Sequence, residues 1–187
     1  FTHARLEGCD LTSADLAGSV IEFATLEAAR LETAVLNSCS LQGTYLDHAM
    51  ISNSWMRGTD LRYSSLHQTE LVGTHLEDCL LAPDTIARAD LSGASSAGAA
   101  LLGARLNECA SIDPSFAVSA FGDASVVLPT SRGWADLVPG QPNGPLAHWS
   151  AEELDDRDFY SAWRDWRRSI GLPWPPPGQA LAWLSRY

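Results

Sequence analysis

The sequence contains no lysine: its 12 basic residues are all arginine, and they stand against 23 acidic residues for a formal net charge of −11. Direct binding to nucleic acid or to an anionic membrane surface is disfavoured, because neither phosphates nor headgroups would be neutralised. No apolar run is long enough to span a bilayer, and no signal-like segment is present. We therefore expect a soluble, cytoplasmic chain, which is also compatible with the soluble part of a membrane-tethered protein.

Motifs of catalysis are missing as well. The sequence has no GxSxG nucleophile turn, no phosphate-cradling glycine loop, no HExxH pair and no Ser-His-Asp set that can be placed. The nearest approach to a metal cluster is Asp47 with His48, His67 and His75, and scattered surface histidines are the commoner explanation of such a group. The sequence predicts no enzyme, no cofactor and no metal.

What the sequence has is a repeat of five. Twenty-two positions spaced five apart, from Phe1 to Leu106, are apolar in every case but Ser96. The position two residues earlier is always small, except at Asp84, and all eight glycines of the region lie two residues after the large position. A period of five fits neither a helix nor a plain strand, so the chain must turn a corner in each unit. The glycine phase is expected to be that turn, with positive φ.

Units such as Ala14 to Gly18 and Ala89 to Gly93 resemble the A(D/N)LxX unit of the pentapeptide-repeat family, over residues 1 to about 110. The resemblance implies an all-β solenoid, a right-handed quadrilateral parallel β-helix of about five to six coils with a C-terminal helical and loop cap. Stacked at roughly 4.8 Å, the coils would form a rod on the order of 26 Å long. The large residues are the predicted core: Leu6, Leu11, Leu16, Ile21, Leu26, Leu31, Leu36, Leu41, Leu46, Ile51, Met56, Leu61, Leu66, Leu71, Leu76, Leu81, Ile86, Leu91, Leu101 and Leu106.

The four cysteines, Cys9, Cys39, Cys79 and Cys109, all occupy the small inward phase. With twenty residues per coil, Cys39 and Cys79 share a face two coils apart, near 10 Å, whereas disulfide Cα atoms lie within about 7 Å. Cys9 and Cys109 are five coils apart. We expect four free thiols that act as small core residues in a reducing compartment.

Two outward groups are candidate partner surfaces. Wrapping at twenty residues stacks Glu7, Glu27 and Asp47 into one column, named here the acidic column. An ordinary solvent-exposed surface would also carry such carboxylates. Tyr45, Met50 and Trp55, named here the apolar girdle, project from three adjacent faces of one coil. Large apolar groups on such a surface suggest contact with a partner or with the folded-back C-terminal part of the chain.

The chain divides at residue 128 into a repeat rod (1–128) and a tail (129–187). Phe116, Phe121 and Val126 keep the phase of five and predict part of one more coil. The Pro- and Gly-rich stretch 129–149 predicts a loop, and Ser150 with Glu153 predicts a capping box for a helix over roughly 151–170. Its apolar stripe is Phe159, Trp163, Trp166 and Ile170. Six of the seven tryptophans lie after residue 130, so the tail must pack on a surface, either capping the open end of the rod or pairing two rods in a homodimer.

Two functions remain open. The first is a non-enzymatic protein-interaction scaffold, compatible with the cytosolic rod of a larger or membrane-tethered bacterial protein. The alternative is an acidic DNA mimic that binds DNA gyrase, as the resemblance to quinolone-resistance members of the family implies. The almost uniform inward Leu, the short rod and the lack of a projecting loop depart from those members.

Overall fold

The computed structural model describes residues 1–82, 86–131 and 133–187, and the rod winds in four-sided coils. Parallel bridges join residues twenty apart: Thr25 pairs with Arg5 on one side and with Tyr45 on the other. Thr25 donates its N–H to the Ala4 carbonyl at 2.9 Å and accepts from Leu6 N–H at 2.8 Å. Four such columns of bridges run along the rod, one per face. Their members include Arg5, Thr25, Tyr45 and Ser65; Asp10, Arg30, Met50, Glu70, Asp90 and Ser111; Asp15, Val35, Trp55, His75 and Ser95; and Val20, Ser40, Asp60 and Leu80.

A turn closes each corner, and the backbone confirms the predicted phase. From His3 to Gly103, the described residue two after each inward one has φ between +55° and +74°, at glycine and at twelve other residues alike. The next N–H returns to the inward residue's carbonyl, as in Ala14 N to Leu11 O at 3.0 Å. A left-handed backbone costs free energy at non-glycine residues such as Ser13. Hydrogen bonds to the next coil offset this cost, here from Ser13 N to Glu32 O at 2.9 Å.

The core of the rod is a continuous stack of the inward residues. From Ile21 to Leu106, every described inward side chain is at most 4% exposed. Leu6, Leu11 and Leu16 in the first coil are only partly buried and pack against that stack. Burying each leucine is worth roughly 1.5–3 kcal/mol, so the rod's stability grows coil by coil. The exception expected in the small phase, Asp84, lies outside the described residues.

Polar members of the small inward phase bond from coil to coil. Thr44 Oγ1 donates to the Ile21 carbonyl at 2.7 Å, and Cys79 Sγ donates to the Met56 carbonyl at 2.8 Å. Both span 23 residues, so the donor lies one coil beyond its acceptor. All four thiols are free. Burial raises the pKa of the Cys39 thiol to about 11, against weaker opposing effects of backbone N–H groups.

Among the residues that the structure describes, regular strands and helices appear only toward the carboxyl end. Strands β1 (Leu80–Leu81), β2 (Ala100–Leu101) and β3 (Phe121–Gly122) form one parallel sheet in that order. Helix α1 spans Pro114–Ser119, α2 spans Asp156–Ser169, and 3-10 helices cover Leu106–Glu108 and Ala182–Arg186. The all-β assignment is therefore too broad, since the parallel ladders belong to the rod whereas the tail contains helix. Right-handed winding stays an expectation from the family resemblance.

The register changes in the last coil, and Phe121 is not inward as its phase predicts. Ala100 pairs with Phe121 and Leu101 with Gly122, a separation of 21 residues instead of 20. The separation is already 21 residues where Asp90 pairs with Ser111, just after the 3-10 helix Leu106–Glu108, so the phase has advanced by one residue before α1 begins. Phe121 then faces outward and joins the residues of the tail, while Phe116 and Val126 stay in the core of the rod.

The loop of the tail covers the carboxyl end of the rod. Trp134, Leu137, Leu146 and Trp149 are buried in the same cluster as the inward residues of the last coils. Trp149 Nε1 donates to the Ala120 carbonyl at 2.9 Å. The Trp149 ring lies where a side chain on Gly122 would be, 2.9 Å from an ideal Cβ. The last apolar layer of the rod is thus covered by indole rings from the loop.

Helix α2 begins later than predicted. The Ser150 hydroxyl accepts from Glu152 N–H at 3.1 Å in a local turn, whereas Asp155 caps the helix by accepting from Asp158 N–H at 2.9 Å. The predicted capping box and the start at 151 were wrong, because the helix begins at Asp156 and the carboxylate of the preceding residue, Asp155, caps it. Ile170, placed on the apolar stripe, is 52% exposed, since it lies beyond the last helical residue.

Helix α2 lies on the flank of the rod and not across its open end. Phe159, Tyr160 and Trp163 are buried against Leu80 and Ala100, outward residues of one face. The predicted stripe residue Trp166 packs beside them and is partly buried. The chain then runs back along the rod, where the Pro177 carbonyl occupies the place of a side chain on Gly58. The end of the rod and its flank are therefore covered by different parts of the tail.

Candidate interaction surfaces

The members of the apolar girdle face three sides of the rod. Tyr45 is 54% exposed and Trp55 is 49% exposed, while Met50 is half-buried. Each belongs to a different column of bridges, so one flat partner cannot cover all three. Trp55 differs from the other two because it lies beside the docked tail.

A groove of about 400 Å³ separates Trp55 from the tail. Its lining includes Asn37, Arg57 and Glu77 from the rod and Leu172 from the tail. The Trp55 ring is stacked on His75, with centroids 4.0 Å apart and planes at 13°. These rings lie one coil apart in one column, and the stack fixes the indole as one wall of the groove.

A buried carboxylate ties the tail to this part of the rod. Asp78, with 2% of its side chain exposed, accepts from Arg57 Nε on one oxygen and from Arg167 Nη1 on the other, both at 2.7 Å. Arg167 Nη1 also donates to the Gly98 carbonyl at 2.7 Å, and its Nε donates to Pro173 O at 3.1 Å. Burial lowers the pKa of Arg167, and Asp78 opposes that shift. Since breaking a buried pair typically costs about 3–5 kcal/mol, these contacts hold the tail in one register.

Sequence reasoning did not find Arg167 or Asp78. The signal was present for Arg167, which follows Phe159 and Trp163 at steps of four and therefore lies on their face of α2. Asp78 occupies the turn phase with φ +61°, which gave no indication that its carboxylate would be buried. Only docking of the tail places the two side chains together.

The acidic column contains two exposed carboxylates and one that is committed to the fold. Glu7 and Glu27 are exposed. A hydrogen bond from its own backbone N–H lowers the pKa of Glu7, helped by Arg5, whose Nε lies 3.2 Å away. Asp47 is half-buried, and its Oδ1 accepts from the Ser65 hydroxyl and from His67 N–H. The column thus presents less free negative charge than its sequence suggests.

The histidine group, which the sequence does not predict to be a metal site, has its rings well separated. The rings of His48 and His67 are 6.1 Å apart and perpendicular. Across residues 1–82, 86–131 and 133–187, no three His, Cys, Asp or Glu side chains are placed to hold a metal ion. No helix within these same ranges is both long and apolar enough to cross a membrane.

The four parallel columns and the turn in every fifth residue define a quadrilateral β-helix solenoid. The sequence pattern of the family described as Pentapeptide repeats matches residues 1–32 and 39–78, in eight copies. These residues are pentapeptide repeats, as their units indicated. Members of this family are generally non-enzymatic structural or interaction modules.

Solved structures with the same kind of repeat include HetL, a pentapeptide-repeat protein involved in heterocyst differentiation regulation in the cyanobacterium Nostoc sp. strain PCC 7120. It is 24% identical over 68% of this chain and 65% of its own, with a TM-score of 0.48. Rfr23 from the cyanobacterium Cyanothece 51142 is 15% identical over 60% of this chain and 63% of its own, with a TM-score of 0.30.

A trypsin-treated form of QnrB1, a plasmid-mediated fluoroquinolone resistance protein, is 19% identical over 89% of this chain and 86% of its own, with a TM-score of 0.26. This chain spans about two thirds of the length of HetL, 65% of it. No curated protein sequence matches it.

Proposed function

We propose that this protein is a non-enzymatic interaction scaffold, acting in the cytoplasm, that binds a protein partner through outward side chains of the rod. The observation that carries the proposal is the exposure of aromatic side chains on the rod: Tyr45 and Trp55 are 54% and 49% exposed, beside Phe23 at 49% and Tyr63 at 71%. Exposed aromatic side chains on a rigid support are typical of binding hot spots, since they lose little conformational entropy on contact.

Partner capture by the Trp55→Ala, Met50→Ala double variant tests this proposal. The tagged protein is cross-linked in cells, and partners are quantified by mass spectrometry against the wild type. A matched control is Val72→Ala with Val118→Ala, which also removes apolar atoms from exposed positions. Loss of a partner in the first variant alone supports the scaffold; equal recovery from both would contradict a role for the girdle.

We also propose that the tail caps this rod and does not primarily pair two rods. The support is that its indole rings are already buried on its own rod, as with Trp149 and Trp163. Truncation after residue 128 should then lower the melting temperature or cause aggregation. A stable monomer obtained from a dimeric full-length chain would instead favour dimerisation.

A second candidate is a DNA mimic that binds DNA gyrase. The net charge of −11 favours it, as do the exposed Glu7 and Glu27 of the acidic column. A supercoiling assay with the protein in excess, beside the Glu7→Arg, Glu27→Arg variant at two salt concentrations, tests it. Inhibition by the wild type that the variant loses would support mimicry, and no effect at any dose would eliminate it.

A further inference from the structure

We propose that the groove beside Trp55 binds a peptide carboxylate that is followed or preceded by a bulky apolar side chain, and that the docked tail completes this site. The proposal rests on the scaffold function and names the chemistry of its partner. The chemistry of the ligand follows from the hydrogen-bonding groups that line the groove. Some of them already bond within the fold, and others have no partner among the described residues.

Most acceptors of the groove are occupied. Glu77 Oε1 accepts from the Ser95 hydroxyl and lies 3.3 Å from His75 Nδ1, whereas Glu77 Oε2 makes no bond within the described residues. Asp78 accepts from Arg57 and from Arg167. A ligand that offers donors alone would therefore find one free oxygen and would otherwise compete with bonds that the fold already has.

The donors are available. Arg57 has 56% of its side chain exposed and commits Nε to Asp78, and no bond from either of its Nη atoms is made within the described residues. Asn37 accepts Arg57 N–H through Oδ1 at 2.9 Å, which leaves its amide NH₂ as a donor. A guanidinium edge beside an amide NH₂ matches the two oxygens of a carboxylate, which guanidinium groups bind in bidentate fashion.

The apolar walls come from both parts of the chain. Trp55, held by its stack on His75, faces the groove from the rod, and Leu172 from the tail. Leu172 is placed by its N–H bond to the Arg167 carbonyl at 2.8 Å, and Arg167 is itself fixed to Asp78. An apolar side chain next to the carboxylate would fill the space between indole and leucine, so the groove exists as a site only with the tail docked.

The probe is the blocked dipeptide N-acetyl-leucyl-glutamate amide, with the leucyl-glutamine amide as its neutral match. Binding to the full chain is followed by NMR at the Trp55 indole N–H, which is assigned by its loss in Trp55→Phe. We expect saturable shifts with a Kd of about millimolar for the acid and at least tenfold weaker binding of the amide, a difference of about 1.4 kcal/mol.

Two variants separate the parts of the site. Asn37→Asp keeps an oxygen for Arg57 N–H but replaces the donor by a negative charge, and should weaken binding about tenfold or more. Asn107→Asp is its matched control, with the same charge change at the same phase of an exposed unit, and should bind as the wild type does. Leu172→Ala should weaken binding several-fold if the tail supplies a wall.

Equal binding of acid and amide, or an unaffected Asn37→Asp variant, would overturn the carboxylate site. Unchanged binding by Leu172→Ala would overturn the role of the tail. If neither dipeptide shifts the indole but the girdle variant still loses its partner in cells, the groove proposal fails while the scaffold function stands. If the dipeptide binds but no partner depends on the girdle, the scaffold function fails while the site remains.

Discussion

The Thr59 hydroxyl gives the sharpest test of what holds successive coils together. Thr59 is fully buried, and its Oγ1 donates to the Leu36 carbonyl at 2.7 Å. That carbonyl also accepts Cys39 N–H at 3.2 Å, so it is not left without a partner when the hydroxyl is removed. Thr59→Val keeps the branched shape and removes only this bond, and we expect a loss of about 0.5–1.5 kcal/mol in the free energy of unfolding.

Ser54 is the matched control. It occupies the same small inward phase and is also fully buried, but its hydroxyl has no hydrogen-bond partner among the described residues. Burying an unpaired hydroxyl typically costs about 1–3 kcal/mol, so Ser54→Ala should leave stability unchanged or raise it. The two substitutions therefore have opposite expected signs, although both remove one buried oxygen from neighbouring units.

Urea unfolding followed by far-ultraviolet circular dichroism measures both variants, with midpoints compared at a common slope. A lower midpoint for Thr59→Val, together with an equal or higher one for Ser54→Ala, supports coil-to-coil bonding by the small phase. If Thr59→Val unfolds at the wild-type midpoint while Ser54→Ala unfolds earlier, the reasoning is refuted, because packing and not the hydroxyl bond would then decide the preference.

Two further predictions concern the tail and the thiols. Gly98→Ala should loosen the tail, because its Cβ would lie 2.7 Å from Asp78 Oδ1 and 2.9 Å from Arg167 Nη1; Gly93→Ala has a similar φ and open space and controls for backbone strain. Hydrogen exchange in α2 measures this, and equal exchange in the two variants would contradict it. Burial raises the pKa of Cys39 from 9.0 to about 11, so its stabilising effect is full below pH 9 and is lost as pH rises through 11. A Cys39→Ala variant should show a smaller alkaline loss of melting temperature than the wild type, and an identical loss would count against this linkage.

The repeat could be predicted from sequence because its physics is local. A large residue every five positions, with a small one two before it, leaves one arrangement that buries all of them, and glycine in a fixed phase marks the corner. The positive φ values at Gly18 and Ser13 follow from that pattern. The four free thiols follow equally, since coil spacing alone separates them.

The last coil and the tail could not be predicted in this way. Phe121 keeps the phase of five in sequence, yet the register is already one residue longer at Ser111, and Phe121 faces outward. A capping serine at 150 was as plausible as the aspartate at 155, because capping chemistry is shared by both residue types. Such choices depend on where the helix must lie, which neighbouring residues do not specify.

The sequence by itself determined the rod, because every inward contact repeats between units whose spacing along the chain is constant. Only the tertiary structure decided that the loop covers the end, that α2 lies on the flank, and that Asp78 joins Arg167 across 89 residues. Those contacts are made once each, between segments far apart in the chain, so no periodic pattern records them. The groove beside Trp55 belongs to the same class, because its two walls meet only after the tail has docked.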